Sequence, residues 1–455
     1  MLKNIKALWA GWAVVHGLLL ATVLIYGTTD EDVHYYFLGM NPNAPDKDGP
    51  SSNPANPNNA AQMAAESGNG PLTEYPHTGT WPLRALDLIS FDNETAFIKL
   101  FSLMCAIISG LFLWYILRWG RDNAQLNTAT DKRNCRITAG WFWVMFCAAA
   151  GPLLLTRLDI VSGVLVAMSA AWMLTRPRVS AFLLAFATLS KLWPGVLAAA
   201  FVGKFNIRAT WVRLLSFGAS LLGLALVTVF SSGVNRLVSP ITYQDVRGLQ
   251  VESVMATPFM AARIADPAKW TIDYAQSKSF EIFGPGVAQA VQVADVLLLA
   301  TVAFALCFAL WRFLRGGWTH ETAVLFALLM VCMLILANKV FSPQYMVWLA
   351  PLIAVASLVV TTISTRTLFI MTLVISVLTT LVYPVTYLQL IEDNASLPLI
   401  LLALRNSGIV VLTIYVGFCL FRACRGSRDA DTSLNKHSEP VRRTAQSQSS
   451  VAATR

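Results

Sequence analysis

The chain has 455 residues, 56% of them hydrophobic and only 13% charged, with a mean hydropathy of +0.57; soluble domains carry about 25% charged residues, so a soluble globular protein is excluded. A formal net charge of +9 would suit a nucleic-acid partner, but the bases gather in short inter-helix loops and in the tail, as the positive-inside rule requires, so the charge reports orientation and no nucleic acid is expected. The seven cysteines fall in predicted helices or at their cytoplasmic ends without metal-ligand spacing, so neither disulfides nor a metal site is expected.

In chain order, Lys3 and Lys6 place the N-terminus inside, and a first apolar helix spans about residues 7 to 26, close to the ~20 residues a bilayer crossing needs. A long polar loop, 27–95, follows. Its acids, from Asp30 to Glu94, far outnumber its two bases, Lys47 and Arg84. Residues 40–70 of this loop are rich in Asn, Pro, Ala, Ser and Gly and read as a disordered insertion. At its end Trp81, Leu83, Leu86 and Ile89 interleave with Arg84 and Asp87, the pattern of a short helix lying on a membrane surface.

Further spans are expected at about 96–117, 137–156 and 160–174. The next apolar stretch, 181–202, is flanked by bases on both sides and broken at Ser190-Lys191-Leu192-Trp193-Pro194-Gly195. Two half-helices with Lys191 at the tip satisfy that pattern, and broken helices are tolerated where they face protein or a wet cavity. A span at about 214–231 leads to a second outer loop, 232–287, and spans at about 288–311, 321–337, 346–363, 368–386 and 398–421 complete the bundle. The expected architecture is thus an all-α integral membrane bundle of about twelve segments, 1–421, with both termini inside and a basic, disordered tail, 422–455.

On this topology the unusual polar residues share the outer face. Asp30, Asp32, His34, Glu74, Arg157, Asp159, Arg247, Glu252, Lys339 and Gln344 map there, and Lys191 points toward it from within. A charge at the bilayer centre costs at least about 2.5–3.5 kcal/mol, so a lysine at a helix break is expected to have work to do. The set holds acids able to serve as a base and cations able to hold a phosphate. Some members have plainer readings: Arg157 and Asp159 can pair with each other, Lys339 can anchor the interface, and Gln344 can cap the following helix. His16 reads as a buried core histidine; His77 and His320 read as surface.

Six stretches carry a resemblance: Asp32-Val33-His34-Tyr35-Tyr36, Glu74-Tyr75-Pro76, Arg157-Leu158-Asp159, Lys191-Leu192-Trp193-Pro194, Arg247 through Ser253 with Gln250 and Glu252, and Lys339 through Tyr345. In order and in common side they resemble the polyprenol-phosphate-dependent membrane glycosyltransferases of the C-type fold, specifically family 87 of actinobacteria, across about residues 7–421. The long insertion departs from the compact first loop of that family. The resemblance implies a bundle topped by an extracytoplasmic cavity in the cell membrane, a polyprenyl-phosphate sugar donor entering from the bilayer, and a glycolipid or polysaccharide acceptor. It implies Asp32 as general base, and transfer of mannose, or alternatively arabinofuranose, with inversion and without a cofactor. Asp30, Tyr35, Tyr36, Tyr75 and the other outer-face residues named above are then substrate contacts.

Two other classes compete. A secondary transporter or lipid flippase would carry inverted repeats and midplane binding residues, and no repeat is visible. A structural subunit of an envelope assembly would leave Asp32 and Lys191 idle. The topology itself is testable: with an impermeant thiol reagent on whole cells, Ser67→Cys should label and Ser427→Cys should not. The opposite pattern would invert the orientation.

Overall fold

The computed structural model describes residues 4–27, 31–41, 72, 74–123, 129–242, 247–275, 277–362 and 364–451. The insertion expected at 40–70 falls almost wholly outside them, as does Asp30. The protein is an α-helical membrane protein: among the described residues, seven helices are long and apolar enough to cross a bilayer, and three shorter apolar helices accompany them.

Helix α1, Ile5–Tyr26, starts where the Asn4 side chain accepts from Lys6 N at 2.9 Å and stops where Gly27 turns left-handed at φ 59°, a conformation that glycine adopts without a Cβ penalty. A second helix, α2 (Glu31–Met40), follows at once. A 3₁₀ turn, His77–Thr80, leads into α3, Trp81–Ser90. Helix α3 buries Leu83 and Leu86 and exposes Leu88 and Ile89, matching a helix at an apolar–aqueous boundary. Then come α4 (Glu94–Asn123) and α5 (Ala129–Ala150).

The span expected to run on to residue 156 instead ends at Ala150. Gly151, at φ 64°, and Pro152 interrupt it, and the freed Ala149 carbonyl accepts from Thr380 Oγ1 at 2.6 Å. After the single turn Leu153–Thr156, Arg157 is extended and α6, Asp159–Trp172, begins. Asp159 therefore stands in the first turn of a helix, where the macrodipole favours a negative charge.

Helix α7, Pro177–Ser190, ends on an extended Lys191, and the chain resumes as a 3₁₀ segment, Trp193–Phe201. The break lies where the apolar pattern put it, although its second half is 3₁₀ rather than α. Helix α8, Arg208–Ser232, packs along α7.

The segment after α8 is structured. It forms α9 (Val234–Thr242), α10 (Thr257–Ala265) and an antiparallel hairpin of β1 (Thr271–Tyr274) and β2 (Phe280–Phe283), in register Thr271↔Phe283 to Tyr274↔Phe280. The hairpin is a small β element in a chain that is otherwise helical, as expected; its β-branched and aromatic residues, Ile272, Tyr274, Phe280 and Ile282, suit a strand.

The remaining long helices are α11 (Val287–Arg315), α12 (His320–Ala337, capped by Thr319 and Thr322), α13 (Met346–Val359), α14 (Arg366–Thr380) and α15 (Ser396–Val451), with short helical turns at Pro343–Tyr345, Leu381–Val385 and Tyr387–Ile391. Helix α15 continues through residues expected to form a disordered tail. Most of the tail residues, Ala, Ser, Gln, Arg and Lys among them, carry only small helix penalties.

Two cores result. The larger runs through the bundle, with α12 at its centre: 83% of its apolar window is buried, against 6% for Arg208–Thr242, which faces outward. The smaller joins Leu249, Val251, Met260 and Ile282 to Val382, Leu390 and Leu402. It forms a cap clamped to α15 by Arg405 and Asn406: Arg405 Nη1 donates to Glu252 Oε2 at 2.8 Å, and Asn406 Nδ2 to Thr257 Oγ1 at 2.8 Å.

Two histidines expected at the surface are buried. His77 lies between the hydroxyls of Ser231 and Ser232, each at 3.2 Å, and His320 Nε2 meets the Ala170 carbonyl at 2.7 Å. Both are polar residues whose ring nitrogens find partners on another helix, a pairing that periodicity does not reveal. His16 is buried, as expected, against Trp12.

Helices α6 and α13 approach closely because Gly163 has no side chain: a Cβ there would collide with the Val347 carbonyl. Gly163→Ala should cost about 1–3 kcal/mol, read as a lower thermal midpoint of the detergent-solubilised protein. Gly223→Ala, with nothing within 4 Å, should be neutral or mildly stabilising.

Candidate active site

Charged and aromatic side chains converge where α2, the 74–80 segment, the start of α6, the α7 break and the hairpin meet. The innermost group is Asp159, fully buried. Its carboxylate accepts from Lys191 Nζ at 2.6 and 2.7 Å and from Trp348 Nε1 at 2.6 Å. Lys191 can reach it because α7 stops one residue earlier and turns the chain aside. The ammonium also faces the Tyr75 and Trp348 rings at 5.4 and 5.8 Å. Trp348 is held in turn between Trp193 and Tyr345, at ring separations of 4.7 and 3.8 Å.

The break is keyed to the first loop. Thr78 Oγ1 donates to the Leu189 carbonyl, and Gly79 packs directly on the Ser190 carbonyl, where a Cβ would clash. A narrow cleft beside Lys191 is lined by Tyr75, Pro82, Leu158, Val161 and Ser162.

Two residues from Asp159, Arg157 pairs with Asp32 in the first turn of α2. The Asp32 side chain keeps 27% exposure, against 11% for Glu74 and 0% for Asp159, so of these three carboxylates it is the one a ligand can reach. Glu74 pairs with Lys278 at 3.7 Å, and Lys278 donates to the Tyr35 phenol. Tyr36 and Tyr75 share a hydrogen bond of 3.0 Å. Burial, aided by nearby carboxylates, pushes both phenols well above the usual tyrosine range, so they act as neutral hydrogen-bonding groups. Arg247 lies against Tyr345 and near Tyr75 and Lys278.

Four cations, Arg157, Lys191, Arg247 and Lys278, thus gather with the carboxylates of Asp32, Glu74 and Asp159. Several buried polar atoms here lack a hydrogen-bond partner: Arg157 Nε, Trp193 Nε1 and Glu74 Oε2. Such atoms are costly to leave unmade, and a ligand carrying both oxyanion and hydroxyl groups would satisfy them.

Of the residues singled out in the sequence, the structure brings together Asp32, Tyr35, Tyr36, Glu74, Tyr75, Arg157, Asp159, Lys191 and Arg247. Others serve elsewhere. His34 binds Glu94. Gln250 ties two segments, its N–H donating to Lys339 O at 3.1 Å and its Oε1 accepting from Phe341 N at 2.7 Å. Lys339 pairs with Asp295 at 3.2 Å, and Glu252 with Arg405. Gln344 faces a separate small cleft with Ser376 and Thr379. Arg157 and Asp159 do not pair with each other; each has its own partner.

Sequence reasoning missed Lys278, the Trp193–Trp348–Tyr345 stack and Arg405. The lysine stands in a hairpin turn that alternation could have flagged. Arg405 is a charge inside an apolar run, a functional or structural signal by itself. Among the described residues no group of three or more His, Cys, Asp or Glu side chains is placed to hold a metal ion. Comparison of the chain with protein-family models, curated proteins and solved structures finds no match.

The geometry makes Lys191 first of all the counter-ion of Asp159. Lys191→Met should strand a buried carboxylate and cost about 3–5 kcal/mol, whereas Asp159→Asn combined with Lys191→Met should recover much of that loss. A double-mutant cycle in thermal midpoints checks this; strict additivity would show that the pair is not coupled.

Proposed function

We propose that the chain is a membrane glycosyltransferase that moves a sugar from a polyprenyl-phosphate donor to a lipid-linked or polysaccharide acceptor at the extracytoplasmic face, with inversion. Mannose is the sugar that the family resemblance favours. The observation that carries the reading is the Asp32–Arg157 pair: a reachable carboxylate held by a guanidinium, inside a cluster of charged side chains with aromatic walls. The outer cavity and the twelve-segment bundle belong to the same proposal, as do the cell-membrane location and the cytoplasmic termini.

An acceptor hydroxyl is a poor nucleophile until its proton is being removed. Asp32 takes that proton as the new bond from the hydroxyl oxygen to the anomeric carbon forms. The bond from that carbon to the phosphate oxygen breaks on the opposite face, and the lipid phosphate leaves with the electron pair. The phosphate is a good leaving group, so it needs charge stabilisation rather than a proton. Arg157 suits that second task. Its Nη1 orients Asp32, while its buried Nε still has a proton to donate. An ion pair also weakens a base, so sharing the guanidinium with the arriving phosphate raises the basicity of Asp32 when it is needed. Tyr35, Tyr36 and Tyr75 offer ring faces and neutral hydroxyls to a sugar.

The test is transfer of label from polyprenyl-phosphate mannose to glycolipid by the purified full chain. Asp32→Asn keeps the shape and removes the proton acceptor, and should lower turnover by about 10²–10⁴-fold with folding nearly intact. Asp30→Asn should have a much smaller effect. A fully active Asp32→Asn protein would sink the assignment and shift attention to Glu74; absence of transfer by the unsubstituted chain, with lipid phosphate still bound, would favour a lipid transporter.

A further inference from the structure

The hairpin turn holds a lysine whose position is poorly explained by structure alone. Lys278 sits between β1 and β2 with φ 58°, left-handed backbone that a residue with a Cβ adopts at a cost and that tends to mark functional sites. The turn is well made: Lys278 N donates to Ala275 O at 2.9 Å and Ala275 N to Ser279 O at 3.0 Å. The hairpin is anchored in the cap, with Ile282 in its core and Glu281 Oε1 accepting from Gly248 N at 2.9 Å. A rigid support therefore delivers a strained residue into the cluster.

Its side chain is only 18% exposed and reaches across to Tyr35 and Glu74, both in the first outer loop. The pairing with Glu74 is loose. At 3.7 Å it is about an ångström longer than Lys191–Asp159 at 2.6 Å or Arg405–Glu252 at 2.8 Å, the pairs that do hold elements together. Glu74 Oε2 remains buried without a hydrogen bond. Arg247 adds a second cation beside Lys278, and burial, with that like charge, pulls the lysine below its ordinary range despite Glu74. Lys278 thus has a like charge beside it and, among the described residues, its nearest carboxylate is 3.7 Å away.

We propose that Lys278 is a ligand of the substrate's phosphoryl oxyanion, supplied by the cap to a site otherwise built by the bundle, with the anion taking the place of Glu74 beside its ammonium. This deepens the transferase reading and rests on it for the substrate class. Released Glu74 then has both oxygens available to hydroxyl groups of the sugar, which satisfies the unbonded Oε2. The cap thereby senses whether an anion is bound.

Binding can be measured apart from catalysis, using the intrinsic fluorescence of the purified full chain with farnesyl phosphate as probe and inorganic phosphate as second probe. Lys278→Met should weaken farnesyl phosphate binding about tenfold or more, the scale of one charge-assisted contact. Lys278→Arg should restore most of it, and Glu74→Gln, which removes the competing carboxylate, should tighten it. Equal affinity for inorganic phosphate, lost equally in Lys278→Met, would still support the oxyanion seat but name free phosphate as its source. Farnesyl phosphate affinity within twofold of the unsubstituted chain in Lys278→Met, with only the thermal midpoint lowered, would overturn the proposal and leave a structural latch. If Lys278→Met does not fold, unchanged or weaker binding in Glu74→Gln overturns it instead. Neither result touches the Asp32 assay: probe binding lost in Lys278→Met with no transfer by the unsubstituted chain would retain the seat and reject the transferase.

Discussion

The arrangement of the site depends on how one fully buried carboxylate is satisfied. Moving an ion out of water carries an effective penalty of several kcal/mol, and Asp159 meets it with three charge-assisted or polar bonds from two directions: Lys191 at the α7 break and Trp348 on α13. Each partner constrains a different element. Lys191 is within reach only if α7 ends where it does; Trp348 is in line only if α13 lies close against α6, which Gly163 permits. Arg157, two residues before Asp159, is thereby fixed beside the α6 start, and with it the Asp32 carboxylate on α2. Remove the inner pair and the outer pair has no frame.

Around this pair the protein is built in two tiers. The bundle buries apolar surface against itself and leaves large side chains such as Phe230, Leu299 and Ile414 facing outward, as a lipid-facing surface should. The cap has its own small core and is fastened to α15 through Arg405, whose guanidinium also lies 4.1 Å over the Phe341 ring. Its described contacts with α2 and the 74–80 segment are polar, Lys278 with Tyr35 and Glu74 among them.

How much of this was legible in the sequence follows from what each signal depends on. Long apolar runs gave the seven long spans among the described residues, because lipid imposes a one-dimensional rule on composition. Ser190-Lys191 followed by Pro194 gave the break, since a charge and a proline in one apolar run leave few alternatives. The partners were not legible. Arg157 and Asp159, two apart, looked like a pair, yet each bonds a residue far along the chain, to Asp32 and Lys191 respectively. Tertiary pairing has no period. Gln250 and Glu252 looked chemical but serve the cap's attachment, and His77 and His320 looked exposed because their partners lie on other helices. The hairpin strands, Thr271–Tyr274 and Phe280–Phe283, are too short for a period to stand out.

The ends of the long insertion have a practical meaning. Asn41 is tied to the Phe37 carbonyl at 2.9 Å, and Leu72, almost fully buried, packs on Gly39 while its carbonyl accepts from Arg236 Nη2 at 3.0 Å. The two ends, Asn41 and Leu72, therefore stand near each other on a fixed base. A segment whose ends already meet changes closure entropy only logarithmically with length. That makes the joint between Asn41 and Leu72 a natural socket for an epitope or a folded reporter domain, a handle for purification or particle alignment.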